Sequence, residues 1–322
     1  MNTLDVSIII VNWNTRDVLR GCLASVYKET KNITFEVIVI DNASNDNSVK
    51  MIKEEFPSVI VIENSENRGF AAANNQGMRI AKGRYVLLLN SDTIIIDNAL
   101  AKMVVFVDSH PQAAAVGCRV LNPDRTLQPT CFMFPSILNL LLSSTYLYKI
   151  FPKSRFFGRE RMTWWDRSDT REVEVVTGCF MLVRKKAIER IGVLDERFFM
   201  YAEETDWCYR FHKNNWRIMF TPDAQIIHLG GQSSKQTQAK MLVQLRLSIL
   251  RFIKKHYGWL SYKTASLLIV LFFAVRVPVW LTVWGLDNNR RKTAAVKLRA
   301  YLSGIEQILF PSFNSPAKQE AI

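Results

Sequence analysis

Four short, almost uninterrupted runs of aliphatic residues lie at positions 6–11, 35–40, 59–62 and 85–89, and helical spacing separates them. That alternation constrains the fold more than any other feature of the chain. A strand with one wet face alternates apolar and polar residues. A near-continuous Val/Ile/Leu run belongs to a strand covered on both faces, and strands separated by helices run parallel. The helical patterns cover residues 17–27, 45–56 and 69–81; the second stops near Pro57 and the third precedes Lys82-Gly83. The expectation is an α/β fold: a doubly wound, mostly parallel sheet with helices on both faces. Ligands of such sheets bind beyond the carboxyl ends of the strands.

Polar clusters stand at those four ends. Asn12-Trp13-Asn14 follows the first run, Asp41-Asn42-Ala43-Ser44 the second, residues 64–69 the third, and Asn90-Ser91-Asp92 the fourth. Each alone reads as a loop with helix-capping residues; four on one rim read better as a binding edge. Neither a dinucleotide fingerprint nor a P-loop occurs, so a phosphate site has to come from elsewhere.

Beyond the fourth run the pattern loosens. Residues 123–170 contain apolar stripes at 132–135, 137–142 and 146–151. They are read as core helices, since such stripes usually face a core; the alternative is a greasy acceptor-side surface. Residues 173–183 resume a strand pattern around Thr177-Gly178, and a helix at 187–191 ends at Gly192.

Composition narrows the class. Apolar residues at 48% allow a large core and exclude global disorder. The five cysteines are widely spaced and hold no CxxC pair, which fits a reducing compartment better than a zinc ribbon or disulfide scaffold. The N-terminus lacks a basic n-region and a small-residue cleavage site, so no secretory signal is expected. Net charge is +13, but residues 235–322 hold 14 Lys and Arg against 3 Asp and Glu, leaving only +2 for residues 1–234. The excess adjoins the most apolar stretch, ASLLIVLFFAVRVPVWLTVWGL at 265–286. Basic charge beside a greasy segment marks a membrane surface before it marks nucleic acid. The stretch is long enough to span a bilayer, yet Arg276 near its centre is costly there and Pro278 interrupts a helix. Trp280 and Trp284 suit an interface, so an in-plane or re-entrant helix is favoured over a span or a packed soluble helix. The chain is accordingly divided into residues 1–234 and a basic, hydrophobic membrane-associating helical tail at 235–322, with a frayed end from 311.

Two further features carry chemistry. Glu203, Glu204 and Asp206 place three carboxylates in four residues among Phe198, Phe199, Tyr201, Trp207 and Tyr209. Acids favour a helix N-terminus for electrostatic reasons alone. Desolvation by aromatic walls would also raise a carboxyl pKa toward that of a general base. Glu203 and Asp206 share a helical face and Glu204 points elsewhere. His228 ends an apolar run just before Gly230-Gly231; a lone His is more often structural than a ligand.

The pieces SIIIVNWN, VIDNASNDNS, NRGFAAANNQG, LLLNSD, TGCFMLVRK, FFMYAEETDWCYR and IIHLGGQS occur in this order. As a set they resemble the inverting family-2 glycosyltransferases of the GT-A fold, in particular the rhamnosyltransferase-like branch that builds bacterial surface polysaccharides. The likeness covers residues 6–234. It implies that Asn12, Asp41 and Asn42 border a nucleotide base, with Asp41 accepting from a pyrimidine imide, and that Arg68 and Gly69 lie near base or phosphates. Asp92 matches the last acid of the family's DxD motif, while Asn90 stands where the first acid is usual. With one carboxylate fewer, His228 matches the position that supplies a further ligand to a divalent cation, Mg²⁺ or Mn²⁺. The family's base, the second acid of an ED pair, maps to Glu204, with Glu203 as runner-up. Thr177, Gly178, Asp206, Trp207 and Arg210 map to the sugar and acceptor pocket.

The resemblance implies a metal-dependent hexosyltransferase. It moves a sugar, rhamnose among the candidates, from a dTDP- or UDP-linked donor to a polysaccharide or lipid-linked glycan. Its place would be the cytoplasmic face of the cell membrane, as a peripheral or monotopic protein. Galactofuranose, glucose or N-acetylhexosamine are alternative sugars. A catalytically silent nucleotide- or glycan-binding scaffold is disfavoured by the joint presence of Asp92, Glu204 and His228. The near-neutral first 234 residues disfavour a nucleic-acid partner.

Overall fold

The computed structural model describes residues 4–230 and 238–310. They group into two compact units: Met1–Phe134, Pro152–Phe199 and Glu203–Ser233 form the first, and Pro135–Phe151, Met200–Ala202 and Ser234–Ile322 the second. The stretch expected to be continuous from 1 to 234 is thus interrupted twice. The division at 234/235, the last residues of IIHLGGQS and the expected frayed end from 311 lie outside the described residues.

The elements follow in chain order: β1 (Val6–Asn12), α1 (Arg16–Glu29), β2 (Phe35–Asp41), α2 (Ser48–Glu55), β3 (Ile60–Glu63), α3 (Gly69–Ile80), β4 (Tyr85–Asn90), β5 (Thr93–Ile95), α4 (Ala99–Ser109), β6 (Ala113–Leu121), β7 (Leu127–Gln128) and β8 (Cys131–Phe132). Two helices of the second unit, α5 (Ile137–Thr145) and α6 (Leu147–Ile150), come next. Then follow β9 (Arg171–Glu172), β10 (Val175–Val176), β11 (Phe180–Arg184), α7 (Lys185–Ile191), α8 (Glu203–Lys213) and β12 (Arg217–His228), and finally α9 (Gln238–Ala274), α10 (Val277–Leu286) and α11 (Arg291–Leu309).

The first unit is built on a mixed sheet in the order β3-β2-β1-β4-β11-β6-β12-β5, with β7 on β6 and β9 on β12. β3, β2, β1 and β4 are parallel, as their aliphatic runs require. β11 runs antiparallel between β4 and β6. β6 and β12 are parallel again, and β5 closes the edge antiparallel to β12.

Both sheet faces are covered at β1, β2 and β4, which explains their continuous runs, whereas β3 at the edge buries none of its residues. Ile8, Ile10, Val37, Val39, Leu87 and Leu89 join Leu19, Cys22 and Leu23 of α1 and Leu100, Met103 and Val104 of α4 in one core. Ile9 and Ile40 alternate to the other face and meet α3. There a Cβ on Gly77 would stand 2.7 Å from Ile9 Cγ2, so the bare glycine sets how closely α3 lies. Burying a side chain of this kind contributes about 1.5–3 kcal/mol.

The strand expected at 173–183 divides into β10 and β11 around Thr177-Gly178-Cys179. The stripes at 137–151 are core only in part. α5 buries Asn139, Leu140, Leu142 and Ser143, exposes Leu138 and Leu141, and takes its N-cap from Ser136. α6 buries nothing.

In the second unit α9 is broken at Gly258. Its Phe273 stacks on Tyr301 of α11 with ring centroids 5.4 Å apart. The apolar stretch does not form one uninterrupted helix. The chain breaks at Val275-Arg276, and Pro278 falls in the first turn of α10, where its missing N–H costs nothing. α10 buries no residue fully and exposes Val279, Leu281, Trp284 and Leu286. By length and composition the span Ala239–Leu286 is apolar enough to cross a membrane.

Candidate active site

Strand pairing assembles the rim. β1 and β2 align Asn12 with Asp41. Asn12 Nδ2 donates to Asp41 Oδ1 at 2.8 Å and the Ser44 backbone N–H donates to Asp41 Oδ2 at 2.9 Å. Asn42 N–H donates to the Asn12 carbonyl at 2.8 Å, and Asn64 Nδ2 to Asn42 Oδ1 at 2.9 Å. Asp41 is buried, with 3% of its surface exposed, so these bonds hold its carboxylate in place. A cavity of about 610 Å³ opens beside it, walled by Asp41, Ser44, Asn45, Lys50, Lys53 and Asn64 among others. None of its walls comes from Asp92, Glu204 or His228.

The NRG segment packs onto the acidic segment. Phe70 N–H donates to the Phe199 carbonyl at 2.8 Å. Gly69 has φ +78°, and a Cβ there would lie 2.4 Å from that same carbonyl oxygen, so only glycine fits. Arg68 at the N-cap of α3 is exposed and makes no ion pair among the described residues.

The β5–β12 ladder pairs Thr93 with His228 and thereby brings Asp92 to the imidazole across 136 residues of sequence. Asp92 Oδ1 and His228 Nε2 are 3.0 Å apart, and Asn90 Nδ2 lies 3.3 Å from the same nitrogen. His228 Nδ1 lies 2.6 Å from Gln128 Oε1. An amide oxygen only accepts, so Nδ1 donates to Gln128 and Nε2 faces the carboxylate. Two cis ligands about 2.1 Å from one octahedral ion lie roughly 3 Å apart. The Gln128 contact is the outer bond by which metal-binding imidazoles are oriented. Among the described residues no group of three His, Cys, Asp or Glu forms; Asp92 and His228 are two candidate ligands, and an ion there would need waters or substrate oxygens besides.

α8 opens on the carboxylates. Tyr201 and Ala202 immediately before it have φ of +69° and +65°, a conformation that non-glycine residues adopt reluctantly. Glu203 is buried; burial first, and then the charge of Glu204, push its carboxyl well above the usual range. Glu204 is partly exposed, and burial pushes its carboxyl up to about 6 against opposing hydrogen bonds from the Glu204 and Thr205 amides. One carboxyl oxygen of each is buried with no hydrogen-bond partner. Cys179 links the two acidic regions. Burial, opposed by a Thr177 hydrogen bond and helped by the charges of Asp92 and Glu204, pushes its thiol up to about 11. Its carbonyl accepts from Asn90 N–H at 3.1 Å, which sets Thr177 and Gly178 beside the end of β4.

Three expected pocket residues brace the framework instead. Trp207 is fully buried and its indole N–H donates to the Gly192 carbonyl at 2.8 Å. Asp206, equally buried, accepts from Arg210 Nε at 2.8 Å, and Arg210 also donates to the Ile191 and Val193 carbonyls. Through these bonds the trio fastens α8 to the turn after α7. Conversely, the sequence pattern singles out neither Gln128 nor Thr15, which hold site residues in place. Thr15 Oγ1 bridges Asn12 Oδ1 and Ser91 Oγ at 2.6 and 3.0 Å, and neither it nor Gln128 sits in a motif.

Comparison with known proteins shows the family and the fold. The chain is 25% identical over 264 residues, 78% of its length and 85% of the relative's, to an N-acetylglucosaminyl-diphospho-decaprenol L-rhamnosyltransferase of Mycobacterium tuberculosis. It is 26% identical, over 85% of its length and 84% of the relative's, to a low-salt glycan biosynthesis hexosyltransferase of Haloferax volcanii. A mannosyltransferase of Pyrobaculum calidifontis, solved with GDP-Man and Mn²⁺, matches the fold with a TM-score of 0.54 and 17% identity over 95% of this chain and 87% of that one. The family model for glycosyl transferase family 2 matches residues 7–192, more than half of the chain. The protein therefore belongs to glycosyl transferase family 2 and is a glycosyltransferase of the GT-A fold.

Proposed function

We propose that the protein is a metal-dependent inverting glycosyltransferase. It moves a sugar, with rhamnose the favoured candidate, from a dTDP- or UDP-linked donor to a lipid-linked or polysaccharide glycan. The meeting of Asp92 and His228 at 3.0 Å carries the reading, because it brings two residues able to ligate a divalent cation together from distant parts of the chain. The Mn²⁺ of the mannosyltransferase structure and the lipid diphosphate in the mycobacterial relative's name support it.

Each part of the rim has a task. Asn12, Asp41 and Asn42 take the base, with Asp41 accepting an imide N–H. Arg68, unpaired by any acid among the described residues, meets donor phosphate. Asp92 and His228, with Asn90 beside them, would hold Mg²⁺ or Mn²⁺. When bound, the ion supplies charge neutralisation for the diphosphate leaving group.

Glu204 takes the proton from the acceptor hydroxyl. A carboxyl held near 6 is ionised at neutral pH and still basic enough to accept it. Glu203, which burial and the Glu204 charge push well above the usual carboxylate range, is the runner-up for the base. Attack from the face opposite the leaving diphosphate inverts the anomeric carbon, so no second nucleophilic carboxylate is needed. Thr177 and Gly178 line the sugar side.

The basic, apolar helices of the second unit bring the enzyme to the cytoplasmic face of the membrane, where a lipid-linked acceptor resides. The test is titration of the full-length protein with UDP-, dTDP- and GDP-sugars with Mn²⁺ or Mg²⁺, followed by nucleotide release with lipid-extract acceptors. Absence of metal-dependent nucleotide binding overturns the reading.

A further inference from the structure

Asn75 stands inside α3, where an amide side chain lowers helix propensity and competes with the backbone for hydrogen bonds. It is also buried, at 1% exposure, on a helix whose other buried positions include Ala71, Ala72 and Ala73. A polar side chain in such a place is costly unless its hydrogen bonds are made. Among the described residues those bonds all go to the loop between α7 and α8. Asn75 Nδ2 donates to the Leu194 carbonyl at 2.9 Å, and the Leu194 N–H donates back to Asn75 Oδ1 at 3.1 Å. Nδ2 also donates to Glu196 Oε1 at 3.0 Å. An amide that gives to and takes from the backbone of one residue fixes that residue in orientation as well as in place. One turn further along α3, Arg79 Nη2 donates to the same Glu196 oxygen at 3.2 Å; that pair is exposed and adds little.

The loop that Asn75 holds is the one to which α8 is fastened. Trp207 donates to the Gly192 carbonyl, and Arg210 to those of Ile191 and Val193. Leu194 follows Val193 directly. A continuous run of bonds therefore leads from α3 through residues 191–194 to α8, whose first turn carries Glu203 and Glu204. The far end of the loop returns to α3 as well, where the Phe70 N–H donates to the Phe199 carbonyl at 2.8 Å. That second clamp is made by backbone alone, so Asn75 is the side chain through which the link can be cut.

α3 begins at Arg68, the residue assigned above to donor phosphate. The donor contact and the brace for the base thus belong to one helix. In-line displacement needs the base, the acceptor hydroxyl and the anomeric carbon in a single geometry, and an error of about 1 Å can cost about 10²-fold in rate. A rigid element shared by both contacts keeps that error small.

We propose that Asn75 is a positioning residue for the transfer reaction: through Leu194 and α8 it holds the Glu204 carboxylate in a fixed place relative to the donor. The proposal rests on the assignment of Glu204 as the base and of Arg68 to donor phosphate.

A double-mutant cycle on the full-length protein tests it. N75A, E204Q and N75A/E204Q are assayed for nucleotide release from dTDP-rhamnose and UDP-sugars with lipid-extract acceptors, and for Mn²⁺-dependent binding of dTDP and UDP by calorimetry. N75A is expected to lower kcat about 10–100-fold, with nucleotide affinity within about twofold of wild type. In the E204Q background no base remains to be misplaced, so there the same change is expected to lower kcat less than about twofold. Equal loss in the two backgrounds is what a merely structural residue gives, and it overturns the proposal. Wild-type kcat in N75A, or a loss confined to nucleotide affinity, overturns it too. N75D keeps the size and the acceptor oxygen of the side chain but cannot donate to the Leu194 carbonyl; it takes the place of N75A in the cycle if N75A does not fold, and the same outcomes decide. Wild-type turnover by E204Q removes the base assignment and this proposal with it. Loss of turnover in E204Q, with N75A acting alike in both backgrounds, removes the proposal alone.

Discussion

Glu204→Gln tests the centre of the mechanism in two independent ways. The amide is close to isosteric with the carboxyl but accepts no proton. Loss of a positioned general base lowers turnover by about 10²–10⁴-fold, roughly 3–5 kcal/mol on the barrier. The same change also alters stability. The folded protein holds Glu204's proton near pH 6, whereas the unfolded chain releases it near the ordinary value of 4.5. The folded state therefore binds the proton more tightly. Its contribution is fully present below pH 4.5 and is lost as pH rises through 6. A shift of about 1.5 units corresponds to about 2 kcal/mol at 1.36 kcal/mol per unit. Gln does not titrate, so the stability of Glu204→Gln relative to wild type should improve by about 2 kcal/mol between pH 4.5 and 7.5. Comparing the two pH values cancels any fixed cost of the amide. Urea unfolding at both pH values and nucleotide release with a lipid-extract acceptor give the two readings. Wild-type kcat/KM should fall tenfold per unit below pH 6. A variant with wild-type turnover, or one whose relative stability does not change with pH, would refute the assignment. Glu203→Gln is the control: it leaves Glu204 in place and should keep the acid limb of the profile.

Three other outcomes follow from the geometry. Gln128→Leu removes the acceptor that orients His228 and should weaken Mn²⁺-dependent nucleotide binding about 10–100-fold by calorimetry, while His228→Ala and Asp92→Asn remove it; unchanged affinity in all three would empty the metal site. Gly69→Ala places a side chain at φ +78° and 2.4 Å from the Phe199 carbonyl, so it should cost at least about 1–2 kcal/mol in urea unfolding. Asp206→Ala leaves Arg210 without its carboxylate and should destabilise the first unit by about 3–5 kcal/mol, with activity falling in step. Activity lost at full stability would return Asp206 to the pocket.

The parallel half of the sheet was legible because a doubly covered strand needs apolar residues at every position. Its ends were not. β1, β2 and β4 each run one residue further than their aliphatic stretches, to Asn12, Asp41 and Asn90, because a backbone ladder does not stop where polarity begins. α2 starts at Ser48 rather than Asn45, since Asn47 is left-handed and Asp46 accepts the Ser48 N–H at 3.0 Å. β7, β8, β9 and β10 have two residues each, too short to leave a period.

The candidate site divides along the same line. By itself the sequence determined the residue types and their order: polar groups after aliphatic strands, a pair of acids among aromatics, and a histidine after an apolar run. Tertiary structure alone decided their company. Antiparallel pairing of β5 with β12 brought His228 to Asp92, and β7 on β6 brought Gln128 to the imidazole. Burial raised the proton affinity of Glu203 and Glu204, and it locked Asp206 and Trp207 into the framework around α8. The reason is physical. Local pattern records which face of an element is dry, whereas ligation, proton affinity and access depend on neighbours more than a hundred residues away.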